Sequence, residues 1–138
     1  FDRDQLDFWD RNAPLPEDHD RHLSWAEARG SVDGAYRAVS PDVAAIAGRC
    51  FTDNWIDAKA RPGKSAGAFS HPTVPSAHPY ILMNFQGKIR DVMTLAHELG
   101  HCVHQVLASA QGALMADTPL TRAETASVFG EMLTFRIS

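Results

Sequence analysis

At 138 residues, 44% of them hydrophobic, and with a formal net charge of −4, the chain has the size and apolar content of one globular domain. Acidic and basic residues are interspersed, which excludes the basic stripe of a nucleic-acid binder, and no apolar run reaches the length that spans a membrane. Two cysteines, Cys50 and Cys102, are too few for a disulfide framework, so a reducing, cytoplasmic setting is expected.

In chain order, residues 2–11 have a short helical pattern around Leu6, Phe8 and Trp9, broken by the N-A-P-L-P run at 12–16. Residues 24–39 read as a helix weakened by Gly30 and Gly34. Ser40, Pro41 and Asp42 then start a second helix over 43–55. Trp25, Tyr36, Phe51 and Trp55 are the aromatics of a core, and residues 1–56 as a whole read as scaffold helices.

Residues 57–86 carry strands. The K-S-A-G-A-F-S run at 64–70 has small residues around an internal Gly, which suits a strand that another backbone approaches closely. A free edge there, at Gly67, Ala68 and Phe69, would take an extended peptide through main-chain hydrogen bonds. A loop following the R-P-G-K turn at 61–64 fits the same residues. Residues 79–85 form a second strand that leads through Gly87 into the next helix. His71 and His78, among Pro and Ser, read as turn residues.

The chemistry lies in the helix over 87–110. Val92, Leu95, Ala96, Leu99, Val103, Val106 and Leu107 make the stripe of an amphipathic helix, and His97, His101 and His104 project from its other side. His97-Glu98-Leu99-Gly100-His101 is an HExxH sequence. Residues i and i+4 share a helix face, so both imidazoles can reach one zinc ion at about 2.0 to 2.1 Å. Glu98 stands beside the open position, where a carboxylate takes a proton from an activated water and hands it to a leaving amine.

A catalytic zinc needs one more protein donor. The extended motif HExxHxxGxxH is not met, because position 104 is His and position 107 is Leu. The donor must then come from the next helix, over 119–136, with Thr118 as N-cap and Pro119 in the first position. Its apolar residues surround the axis, as in a helix buried on most sides. Glu124 and Glu131, seven apart, share one face. A buried carboxylate needs a partner, and two on one face suggest a cation opposite. Glu124 is assigned as third ligand and Glu131 as the acceptor that orients a ligating histidine. The reverse assignment, or a Glu131 pair with Arg122 or Arg136, stays open. His104 is expected to line the site or to bond a neighbouring carboxylate.

The strings at 57–70 (DAKARPGKSAGAFS), 78–85 (HPYILMNF), 91–104 (DVMTLAHELGHCVH) and 123–133 (AETASVFGEML) resemble the oligoendopeptidase F branch of the thimet oligopeptidase family of zinc peptidases. The resemblance implies zinc held by His97, His101 and Glu124, with Glu98 as general base and short peptides as substrates. It also implies a partial catalytic domain, because the family's transition-state donors, a His and Tyr residues downstream of the third ligand, have no match here. The expected architecture is mainly α with a small β component: a zincin-like HExxH helix packed against a truncated ligand-bearing helix at 118–138 and a short strand pair. Two other readings stand beside it. One is a structural or regulatory zinc module closed by His104, Asp117 or Glu131, and the other is a metal-free chain that self-associates through apolar faces.

Overall fold

The computed structural model describes residues 7–8 and 22–136. Most of the helical pattern expected at 2–11, and the break at 12–16, lie outside these residues. The chain is mostly helical with a small sheet: α1 (Trp25–Val39), α2 (Pro41–Thr52), β1 (Ile56–Lys59), β2 (Phe69–His71), β3 (Tyr80–Phe85), α3 (Ile89–Ser109) and α4 (Leu120–Phe135).

Local chemistry accounts for the first two helices. Ser24 Oγ accepts from the Glu27 amide at 3.2 Å while Glu27 Oε2 accepts from the Ser24 amide at 2.8 Å, a reciprocal cap that satisfies two orphan donors. Ser40 caps α2 by accepting from the Val43 amide, with Pro41 at its first position. The helix ends at Thr52, short of the expected residue 55. Asn54 turns the chain with φ 59°, a conformation Asn tolerates.

Three strands stand where a pair was expected, in the order β1-β3-β2. β3 is central, parallel to β1 and antiparallel to β2, with Ser70 opposite Ile81. The I-D-A-K sequence of β1 gives little strand signal. What secures it is Lys64, whose side chain is 2% exposed and whose Nζ donates to the carbonyls of Met83 (2.6 Å), Asp57 (2.8 Å) and Lys59 (3.1 Å) as well as to Asp57 Oδ1 (3.1 Å). One buried ammonium thus ties β1 to β3, its charge met by a carboxylate and three carbonyl dipoles.

The core lies between α1, α2, the sheet and α3, around Val32, Tyr36, Cys50, Trp55, Ile81, Met83, Leu95 and Leu99. Tyr36 is buried and donates to the Ala96 carbonyl at 2.8 Å. Trp55 is buried too and stacks on His78 at 4.4 Å, so His78 packs rather than merely turning the chain. Cys50 and Cys102 are free thiols facing each other across α2 and α3. Leu107, counted in the apolar stripe of α3, is exposed.

α4 departs furthest from expectation. Its N-cap is Pro119, with no side-chain cap, and it is not buried on most sides. Leu120, Val128, Phe129, Met132 and Phe135 are exposed, whereas Ser127, Gly130 and Thr134 are buried. The helix packs through its small residues. A Cβ on Gly100 would stand 2.5 Å from the Ala126 carbonyl oxygen, and one on Gly130 would stand 2.7 Å from that of Ala96. Only glycine admits backbones that close.

Candidate metal centre

This close approach of α3 and α4 brings Glu124 and Glu131 over the HExxH turn. Glu124 Oε2 lies 3.4 Å from His97 Nε2 and 3.7 Å from His101 Nε2. Four ligands placed tetrahedrally about 2.0 to 2.1 Å from one zinc ion are separated by roughly 3.3 Å. The observed spacings are near that edge length and too long for good hydrogen bonds. Among the described residues, His97, His101 and Glu124 form the group whose donor atoms all lie within 4.8 Å of one another.

The neighbours suit the same geometry. His97 Nδ1 meets Glu131 Oε1 at 2.8 Å. A carboxylate there holds the ring proton on Nδ1 and leaves the Nε2 lone pair directed at Glu124. Glu131 therefore pairs with His97, not with Arg122 or Arg136. Burial pushes His101 down from its ordinary pKa, with His97 adding to the effect, which favours the neutral imidazole a metal requires.

Glu98 is 5% exposed, and its Oε2 has no hydrogen-bond partner among the described residues. Burial raises its pKa to about 7, with the Glu124 and Glu131 carboxylates adding and His97 and the Ser70 backbone N–H opposing. A buried carboxyl oxygen left unpaired beside two histidines and a further carboxylate is a group awaiting a proton donor. The residues present fit a metal ion.

Other expected positions fall elsewhere. His104 Nε2 meets Thr118 Oγ1 at 3.1 Å and lines a separate depression with Arg122, Thr125 and Phe129, outside the three-donor group. One straight helix carries it too far along the axis to share the site. Asp117 is exposed and bonds the Thr118 amide. A cleft of about 440 Å³ runs from His97, Glu98 and Glu131 past Gly67, Ala68, Asn84 and Arg90. Of the three expected peptide-binding residues, Gly67 and Ala68 line it, whereas Phe69 does not and is half-exposed. The strand expected over 64–70 is confined to its last two residues and His71. Residues 64–68 are a loop, with Gly67 at φ +86° and Asn84 Nδ2 donating to the carbonyls of Ser65 (2.9 Å) and Gly67 (3.3 Å). Lys64, Asn84 and Gln105, which hold this region together, gave no signal in sequence because each acts across a long loop.

Two histidines and a carboxylate around a common point, next to a buried carboxyl group and a cleft, have the make-up of a metal-dependent hydrolase centre. Similarity to known proteins narrows that class. The model of peptidase family M3 matches residues 40–137, and the chain belongs to that family. It is 30% identical over 101 residues to oligopeptidase PepF of Bacillus subtilis (strain 168), covering 73% of this chain and 15% of that protein. To an oligoendopeptidase F homolog of Mycoplasma genitalium it is 40% identical over 89 residues, covering 64% and 15%. A crystal structure of a Chlamydophila abortus peptidase matches with a TM-score of 0.78 at 27% identity, over 83% of this chain and 20% of that one. An oligoendopeptidase F structure from Bacillus anthracis str. Ames, at 20% identity, agrees in fold alone, with a TM-score of 0.76 over 96% and 25% of the two chains. The chain thus spans about 15% of the length of the curated relatives it matches first.

Proposed function

We propose that this chain carries the metal-binding part of a zinc endopeptidase that hydrolyses short oligopeptides. The observation that supports it most is the convergence of His97, His101 and Glu124, with Glu124 Oε2 3.4 and 3.7 Å from the two Nε2 atoms, beside the unpaired Glu98 Oε2. Zinc held there would polarise the scissile carbonyl and acidify a water. His97 is kept in the ligating tautomer by Glu131. Glu98, one residue along the helix, takes the water's proton at its free oxygen and returns it to the departing nitrogen, so its raised pKa suits both halves of the transfer. The peptide would lie against Gly67 and Ala68, bound by main chain and so with little demand on its side chains.

A closed structural zinc site has less support, because His104 and Asp117 are engaged elsewhere and Glu131 is turned to the Nδ1 side of His97. Zinc titration of the chain should give one equivalent bound, and Glu124→Gln should lose at least about 10-fold in affinity, in line with removal of a ligand. Equal affinity in the variant would remove Glu124 from the ligand set. In peptide cleavage by the zinc-loaded protein, Glu98→Gln should lose activity while keeping the metal. Full activity in that variant would remove Glu98 from the proton transfer.

A further inference from the structure

Gln105 is engaged twice by one strand residue. Ser70 Oγ donates to Gln105 Oε1 at 2.8 Å, and Gln105 Nε2 donates back to the Ser70 carbonyl at 3.1 Å. The direction of that carbonyl follows from the sheet. Ile81, opposite Ser70, gives its amide to the Trp55 carbonyl on the β1 side at 2.9 Å. Main-chain groups of an antiparallel pair alternate between facing the partner and facing away. Ser70 and Ile81 are therefore a pair that exchanges no hydrogen bonds, and the Ser70 N–H and C=O both point off the outer edge of β2. The N–H faces the Glu98 carboxylate and the C=O goes to Gln105. Glu98 and Gln105 are seven residues apart on α3, two turns along one face, and they meet the two main-chain groups of Ser70 along the same strand edge.

We propose that Gln105 is a positioning residue: by holding Ser70 it closes the outer edge of β2 at that point, fixes the main-chain donor that faces Glu98, and confines peptide docking to Ala68 and the loop before it. An unpaired strand edge would accept any extended segment at any register. Here the edge is taken at Ser70. Ala68, two residues earlier and just ahead of the strand, lines the cleft with His97 and Glu98. A bound peptide then has one register relative to the histidines, and the bond presented for cleavage is set by main-chain geometry. The side-chain hydrogen bonds of Gln105 go to Ser70, so its influence on the edge strand passes through that residue. The consequence for peptide register rests on the peptidase reading above, whereas the clamp itself does not.

The test is amide hydrogen exchange in the purified chain, with and without zinc, for wild type, Gln105→Leu and the isosteric Gln105→Glu, which cannot donate to the Ser70 carbonyl. Both variants should speed exchange of the Ser70 amide by about tenfold, as loss of one or two net hydrogen bonds implies, while the α3 amides from Val92 to Val103 change less than about twofold. In peptide cleavage the variants should also produce cuts at more than one bond of a peptide that wild type cuts once. Unchanged exchange at Ser70, or an equal acceleration throughout α3, overturns the proposal. If wild type cleaves no peptide, the peptidase reading fails, and the exchange data still decide the clamp.

Discussion

At the residue scale, Glu98 shows how burial changes the meaning of a motif letter. Its position beside His97 is plain in sequence, but its burial and its missing partner come from β2 and α4 closing over it. In the metal-free chain its pKa rises from 4.5 to about 7, so the fold favours the protonated form. The stabilising contribution of that proton is complete below the unfolded value and is lost as pH rises through about 7. Metal-free wild type should therefore melt close to Glu98→Gln near pH 4.5 and below it at pH 8, as followed by circular dichroism. A constant difference between the two proteins across that range would mean that the carboxyl is not desolvated.

At the scale of elements, the contact between α3 and α4 decides whether a metal centre exists. Glu124 and Glu131 reach the histidines because Gly100 and Gly130 let two helix backbones meet. Adding a methyl at either position forces them apart, and overpacking of this kind costs about 1 to 3 kcal/mol. Gly130→Ala should show that loss in denaturant unfolding, together with zinc affinity weakened by about 10-fold as the carboxylates are displaced. Gly48→Ala is the control: nothing lies within 4 Å of its added Cβ, so it should leave zinc binding unchanged and stabilise α2. The control also separates packing from helix propensity, since all three glycines lie inside helices.

For the whole molecule, the outer side of α4 matters most. Phe129, Met132 and Phe135, each more than half exposed and three residues apart along the helix, leave an apolar face uncovered on this chain. A row of that kind drives association in water. Sedimentation equilibrium of the chain should give an apparent mass that rises with concentration, and Phe129→Ser with Met132→Ser should bring it back toward the monomer. A monomer throughout the accessible range would contradict this. No helix among the described residues is long and apolar enough to cross a membrane.

Periodicity fixed by local geometry could be read without coordinates. The i, i+4 step of a helix alone puts His97 and His101 on one face, the seven-residue step does the same for Glu124 and Glu131, and Ser24 and Ser40 announce their helices through bonds that span three residues. Tertiary structure alone decided which glutamate meets which ring nitrogen, that α4 buries Ser127 and Gly130 instead of its phenylalanines, and that Lys64 and Gln105 hold the sheet to itself and to α3. Those outcomes depend on bonds between groups far apart in sequence, some 19 residues for Lys64 with Met83 and 35 for Ser70 with Gln105. No repeat along the chain encodes such pairings, because their free energy exists only once the intervening loops have closed.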